Sequence, residues 1–359
     1  MLDPELRALL AQFEVGAVAE KSVLRSPRDD LRRGWRVALD RAAREGVRTT
    51  DATTSWIRSE LRNLAEHDAT DEMRALAAEV EAALRLSWIG PVARVAEAQR
   101  QATADFQLGA LNVEVYCPQE HVAERRVVEA LLASEIQRAT GPVKIAIVRS
   151  SPTTGSGRSV GKDGLVVRDP RNQARTFPAN KLIDRILSDK KRAGAQLCAG
   201  ELNLLWLDLK HGLGLTAIDC IPLRSAVAKG MCFVGSHGVW HAFYGRIGDP
   251  LFVERTVLDF PGPRHAYPQQ RHGWFREMPK ASCAILSVLD GIILLSNPWA
   301  AVPLDAATTE SLMTLSEVRP EFCWFDELAP TLVMRVEAER SRISSLASRG
   351  SSKTVDEPT

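Results

Sequence analysis

Apolar residues in the first quarter of the chain recur at spacings of three and four positions, the period that places them on one face of an α-helix. The clearest runs lie at 6–13, 31–39 and 56–64. A Gly-Pro pair at 90–91 then interrupts the helical period. The pattern predicts an α-helical N-terminal region over residues 1–88.

Residues 89–210 mix helical and strand-like periods. A helical run that carries Glu97 leads into a short apolar stretch, and a turn at 109–110 then starts a β-branched strand at 112–117. The other elements predicted in this segment are strands at 143–148, 165–167 and 203–208 and helices at 120–139 and 179–197. This order of helices and strands is typical of a three-layer α/β core.

Residues 211–345 have a less regular pattern. The segment 238–244 favours a strand, and 284–295 favours two strands joined by a turn at 290–291. The helical period returns at 309–315 and 328–340. We therefore expect an α+β C-terminal extension, followed by a tail at 346–359 whose small polar residues predict disorder.

Composition sets limits on the partners and the compartment. The formal net charge is +1, so any contact with nucleic acid has to come from a local basic surface and not from the whole molecule. Six cysteines without a Cys-x-x-Cys spacing argue against a zinc site or a disulfide framework and favour reduced thiols. The chain shows no signal-peptide pattern and no apolar run of the roughly 18–20 residues that span a bilayer. We expect a cytoplasmic protein without membrane contact, and its oligomeric state stays open.

Two carboxylates carry the strongest chemical signal. Asp105 stands at the start of one predicted strand, and Glu114 lies inside the next strand of the same hairpin. Because side chains alternate between the two faces of a strand, both carboxylates can meet on one surface of the sheet. Their repulsion would favour a hard divalent cation between them. The alternative interpretation is that both are surface residues of the hairpin with no shared partner.

The two acids and the order of elements over residues 90–210 resemble the PD-(D/E)xK, or restriction-endonuclease-like, nuclease superfamily. The resemblance implies a restriction-endonuclease-like three-layer α/β core in which Asp105 and Glu114 bind Mg²⁺ or Mn²⁺. Glu97, on the preceding helix, would be an accessory ligand or would orient a water molecule. The implied activity is metal-assisted hydrolysis of a phosphodiester bond in DNA or RNA.

One position departs from this resemblance. Tyr116 stands where the superfamily motif has a lysine, and a neutral phenol cannot supply the positive charge of an ammonium group. In one interpretation, a lysine from another element takes over this role: Lys144 on the following strand, or Lys181 or Lys190 on a later helix. In another, the chain is a non-catalytic nucleic-acid-binding or assembly protein on a nuclease-like scaffold. A module that binds only other proteins is a third, remoter interpretation.

A basic segment at 171–192 has a local net charge of +5. Lys181 and Arg185 are one helical turn apart, so they would lie on one face of the predicted helix. Such a face can bind a phosphate backbone, and a solvated helix surface is the competing interpretation. The residues that we assign to nucleic-acid binding are Arg175, Lys181, Arg185, Lys190 and Lys191.

His237 and His241 have the spacing of a zinc-peptidase helix, but Gly238 occupies the position that such a helix gives to glutamate. We therefore expect core or surface histidines and no metal site at this position.

Overall fold

The computed structural model describes residues 8, 46–66, 71–95, 104–118, 146–148, 159–161, 164–168, 196–210, 215–220, 224–228, 231–236, 238–252, 256–259, 262–263, 266–289 and 291–316. The helices are α1 (Asp51–Glu66), α2 (Asp71–Leu86), α3 (Gly238–Tyr244), α4 (Trp274–Glu277) and α5 (Ala306–Met313). The strands are β1 (Val92–Arg94), β2 (Phe106–Leu108), β3 (Leu111–Tyr116), β4 (Ala146–Val148), β5 (Ser159–Gly161), β6 (Gly164–Arg168), β7 (Leu202–Asp208), β8 (Arg224–Ala228), β9 (Met231–Gly235), β10 (Pro250–Phe252), β11 (Thr256–Asp259), β12 (Gly262–Pro263), β13 (Ala266–Pro268), β14 (Cys283–Val288) and β15 (Gly291–Ser296).

A six-stranded mixed sheet forms the centre of the molecule, in the order β1-β2-β3-β7-β14-β15. The strands β3, β7 and β14 are parallel to one another, and the flanking pairs are antiparallel. Smaller sheets contain β4-β6-β5, β12-β11-β9-β8 and β10-β13. The fold is therefore of the α/β class, as the sequence predicts.

Helices cover both faces of the central sheet. On one face, Val113 and Trp206 pack with α1 and α2 in a first hydrophobic core. On the other face, Leu205 and Leu207 pack with α3 and α4 in a second core. Because both faces are buried, the central strands are almost continuously apolar, as expected for the parallel part of a sheet.

Local chemistry explains where two of the elements begin. The Thr50 side chain accepts a hydrogen bond from the Thr53 backbone N–H at 3.3 Å, which caps α1, and Asp51 adds a favourable negative charge at the same helix end. The turn between β2 and β3 uses Gly109 at φ 59°, a left-handed conformation that costs glycine little. This turn fixes the register of the hairpin that carries Asp105 and Glu114.

The strand predicted at 238–244 is wrong, because this segment is the helix α3. All seven of its residues are buried, so the helix is apolar on every side. The β-favouring Val-Trp and Phe-Tyr pairs therefore reflect burial and not extended backbone. The strand β1 was not predicted; it lies directly after the Gly90-Pro91 break and pairs with β2.

Several predicted elements are confirmed: the hairpin β2–β3, the strand β7, the hairpin β14–β15 and the helix α5. The helices predicted at 6–13 (except residue 8), 31–39, 120–139 and 328–340, nearly all of the helix at 179–197, and the tail at 346–359 lie outside the described residues. The domain boundaries near residues 88 and 210 stay predictions, although the central sheet takes strands from both sides of residue 210.

Candidate functional site

Asp105 lies immediately before β2, beside Glu114 on the neighbouring strand β3. Phe106 pairs with Val113, so Asp105, one residue earlier, stands opposite Glu114. The Val115 backbone N–H donates a hydrogen bond of 2.7 Å to Asp105 Oδ2, and the Asp105 N–H donates to the Val113 carbonyl at 3.0 Å. The main chain of β3 therefore fixes the Asp105 carboxylate in one orientation.

Glu114 is deeply buried, with 5% of its surface exposed. Its register partner on β7 is Leu205, whose side chain belongs to the second core, so Glu114 projects toward that same face of the sheet. Burial, then the charge of Asp105 and then that of Glu79, raise the pKa of Glu114 to about 9. At neutral pH the Glu114 carboxyl therefore holds a proton unless a cation displaces it.

Glu79 was not identified from the sequence. It lies on α2, which packs against β3, and its charge reaches Glu114. The sequence does contain a sign of buried acids, since Glu79 and Glu81 interrupt an otherwise apolar stretch at 75–84. Because α2 packs on the first-core face, Glu79 influences Glu114 through its charge and is not a member of the Asp105–Glu114 pair, whereas Glu97 lies outside the described residues.

The donors at this site suit a hard cation in chemical type. Asp105 and Glu114 offer carboxylate oxygens, and Mg²⁺ in proteins commonly takes only one or two carboxylates and completes its shell with water or substrate phosphate. Within the described ranges, no group of three or more His, Cys, Asp or Glu side chains has an arrangement that could hold a metal ion. A cation here would therefore depend on the two carboxylates and on non-protein ligands.

Tyr116 lies two residues beyond Glu114 on the same face of β3 and is half-buried against the second core. Its phenol brings a hydroxyl group toward this face of the sheet but no positive charge. Lys144, the first candidate to replace the motif lysine, lies outside the described residues, as do Arg175, Lys181, Arg185, Lys190 and Lys191.

A second polar cluster lies beside the first core, where β7 ends. Glu81 on α2 is fully buried and accepts a 2.8 Å hydrogen bond from Arg85 Nε, and its other oxygen binds Lys210 Nζ. The Lys210 backbone N–H donates to Asp208 Oδ1 at 3.1 Å. Ser287, the register partner of Asp208 on β14, is also buried. This four-charge network joins α2 to the central strand.

No motif in the sequence predicts this network. Lys210 is a buried lysine near the end of a central strand, but it is not among the groups that shift the pKa of Glu114. Its ammonium group instead neutralises Glu81. The network therefore accounts for a buried lysine without bringing it to the Asp105–Glu114 site.

His241 is a core residue, in line with the expectation for this histidine. It is fully buried on α3, its Nδ1 lies 3.1 Å from Gln269 Oε1, and its ring packs edge-on against Trp240. His237, the other histidine of the pair, lies outside the described residues.

Across the described part of the chain, no helix combines the length and the apolar character that crossing a membrane requires. Comparison of the chain with family models, curated proteins and solved structures gave no match.

Proposed function

We propose that this protein is a metal-dependent nuclease that hydrolyses phosphodiester bonds of DNA or RNA on a restriction-endonuclease-like core. One observation carries the proposal: Glu114 is buried beside Asp105, and burial with two acidic neighbours raises the pKa of Glu114 to about 9. A group so strongly perturbed, next to a fixed carboxylate, is typical of a functional site.

The architecture agrees with this proposal. A helix, α2, precedes the antiparallel strands β1, β2 and β3, and β7 then lies parallel to β3. Helices cover both faces of the sheet, which gives the three layers that the resemblance implies. Many α/β proteins have three layers, so the carboxylate pair supports the nuclease proposal more strongly than the architecture does.

Each residue of the site has a distinct role in this proposal. Asp105 is oriented by the Val115 N–H and would hold one side of a divalent cation. Glu114 would hold the other side after losing its proton, so binding of the cation and release of the proton are linked. The bound cation would lower the pKa of a water molecule and neutralise charge on the phosphate. The Tyr116 hydroxyl can donate a hydrogen bond but cannot replace an ammonium charge.

A second candidate function is nucleic-acid binding or assembly without catalysis. Tyr116 favours it, because this side chain packs against the second core and is neutral. Losing one preorganised charged donor from a transition state costs about 3 to 4 kcal/mol, which is roughly a hundredfold to a thousandfold in rate. A nuclease-like scaffold that had lost this charge would keep its binding surface while its hydrolysis became very slow.

A cleavage assay separates the two candidates. We expect Mg²⁺ or Mn²⁺ to support cleavage of plasmid DNA or a single-stranded substrate by the wild type, and we expect Asp105→Ala to abolish it. Glu310→Gln is the matched control, because Glu310 is an exposed acid on α5. If Asp105→Ala and wild type cleave at equal rates, the nuclease proposal is wrong.

Calorimetric titration with Mg²⁺ or Mn²⁺ tests the metal site without any substrate. At pH 7 we expect the wild type to release close to one proton for each cation bound, because Glu114 ionises on binding. The released protons are measured by repeating the titration in buffers of different ionisation enthalpy. Glu114→Gln should bind the cation far more weakly and release no proton, whereas Glu310→Gln should resemble the wild type.

A further inference from the structure

Two surface loops are held together beside α3 and α4. The Gly248 N–H donates to the Gln269 carbonyl at 2.9 Å, and the Gln269 N–H donates to the Asp249 carbonyl at 2.8 Å. The Gly273 N–H closes the arrangement with a 2.9 Å bond to the Gly245 carbonyl. These bonds place residues 245–249 and 269–273 next to each other.

Arg276 is fixed at the edge of this surface. Its Nε donates to the Tyr244 carbonyl at 3.2 Å, and its guanidinium carbon lies 3.8 Å from the centre of the Trp299 ring. Stacking of this kind holds the guanidinium plane still. No described residue forms a hydrogen bond with the terminal Nη atoms of Arg276, so these donors are available to a ligand.

Arg246 lies close enough to Arg276 for the two positive charges to repel. Burial lowers the pKa of Arg276, the Arg246 charge lowers it further, and Asp249 partly opposes both effects. The Asp249 carboxylate, however, already accepts a hydrogen bond of 2.7 Å from the Arg246 backbone N–H. Within the described part of the chain, the Arg246 guanidinium makes no hydrogen bond. Two neighbouring arginines with free donors suit an anion that accepts from both.

One apolar and one aromatic side chain are also exposed on the two paired segments that lead into this surface. Ile247 is 58% exposed at the tip of the 245–249 turn, and Tyr267 is 52% exposed on β13, two residues before Gln269. Arg271 and His272 are exposed on the second loop, and the nearby acid on α4 is Glu277. Surfaces that bind single-stranded nucleic acid combine basic side chains with exposed aromatic rings, because the phosphates bind the cations and the bases stack on the rings.

We propose that Arg246, Arg276 and Tyr267 form a binding site for a single-stranded nucleic acid, in which the arginines bind a backbone phosphate and Tyr267 stacks on a base. This inference rests on the proposed nucleic-acid partner but not on cleavage. It adds a binding surface, in the described C-terminal part of the chain, to the segment at 171–192.

The surface lies on the same side of the central sheet as Glu114. The helices α3 and α4 pack on the face toward which Glu114 projects, and Trp299 follows β15. The strands β3 and β15 are three positions apart in the sheet, which corresponds to about 14 Å across it.

The test is fluorescence anisotropy with a short fluorescein-labelled oligothymidylate in EDTA, over a range of salt concentrations. Arg246→Gln should weaken binding roughly tenfold at low salt and reduce the slope of log affinity against log salt by about 0.7. Tyr267→Ala should weaken binding roughly tenfold and leave the salt slope unchanged, because stacking releases no counterions. Arg276→Gln should resemble Arg246→Gln.

Arg48→Gln is the matched control, since Arg48 is exposed beside α1 and β1, away from this surface. Arg276 also has a packing role, so Arg246→Gln and Tyr267→Ala, which change exposed side chains, decide the outcome if Arg276→Gln unfolds. The inference is overturned if Arg246→Gln binds like Arg48→Gln, if Tyr267→Ala has no effect, or if a duplex of equal length binds more tightly than the single strand.

The result is separable from the nuclease proposal. Binding in EDTA that depends on Arg246 and Tyr267, without cleavage in Mg²⁺ or Mn²⁺, would support the surface and reject the enzyme. Metal-dependent cleavage, with binding that is unchanged in Arg246→Gln and Tyr267→Ala, would support the enzyme and reject the surface.

Discussion

Two buried glutamates in one molecule have opposite surroundings. Glu81 lies between Arg85 and Lys210 and forms an ion pair with each of them. Glu114 lies beside Asp105 and within reach of Glu79, and burial together with these acids raises its pKa to about 9. A buried carboxylate with cationic partners holds two elements together. A buried carboxyl group beside other acids favours binding of a proton or a cation.

The largest expected effect comes from removing the cation beside Glu81. Lys210→Met would leave Glu81 with Arg85 as its remaining partner in the described network, so we expect a loss of about 3 to 5 kcal/mol in the free energy of unfolding. Urea denaturation at neutral pH measures this loss. The double variant Glu81→Gln/Lys210→Met should not recover the loss, because Glu81→Gln takes the carboxylate away from the buried Arg85 guanidinium as well. A loss below about 1 kcal/mol in Lys210→Met would show that Glu81 does not depend on this lysine.

The next effect concerns Glu114 and pH. The folded protein keeps a proton on Glu114 that the unfolded chain releases near the ordinary pKa of 4.5. Stability from this group is therefore complete below pH 4.5 and falls as the pH rises toward about 9. By pH 7 the loss reaches at most about 3 kcal/mol.

Glu114→Gln removes this titration and should be more stable than the wild type at pH 7 to 8, in EDTA. Urea denaturation across the pH range measures the difference between the two proteins. Equal pH dependence in Glu114→Gln and wild type would contradict the raised pKa. The same substitution also weakens cation binding under the nuclease proposal, so a gain in stability with a loss of metal binding would identify Glu114 as a functional residue.

The smallest effect separates the two acidic neighbours of Glu114. Both Asp105→Asn and Glu79→Gln should lower the pKa of Glu114, and the change should be larger for Asp105→Asn because Asp105 is the stronger of the two charges. The asparagine amide oxygen can still accept from the Val115 N–H, so the hairpin should keep its geometry. NMR titration of ¹³C-labelled glutamate measures the pKa of Glu114 in each variant. A larger decrease in Glu79→Gln than in Asp105→Asn would mean that the Glu79 charge acts on Glu114 more strongly than the Asp105 charge does.

The sequence predicted those parts of the fold that depend on nearby residues. The hairpin β2–β3 follows from a glycine turn between apolar strands, and β14–β15 follows in the same way. The proximity of Asp105 and Glu114 was predictable for the same reason, because both belong to one hairpin and are close in the sequence. The helix α3 was missed because burial on all sides, which only the folded chain provides, overrode its β-favouring residues.

The ion network was not predictable from the sequence for a similar reason. Lys210 and Glu81 are 129 positions apart, and neither residue stands in a motif that would connect them. The raised pKa of Glu114 depends on α2 as well, since Glu79 reaches the hairpin only after the helix packs against β3. Sequence patterns place a carboxylate on a strand, but its charge state depends on which distant groups pack around it.

The position of β14 in the central sheet has a consequence for how the chain folds. This strand comes late in the sequence, yet it pairs with β7 on one side and β15 on the other. A nascent chain that ends soon after residue 210 would leave an apolar strand edge unpaired, and such edges promote aggregation. Synthesis must therefore pass residue 296 before the sheet is complete, and a fragment cut near residue 210 should precipitate when expressed alone.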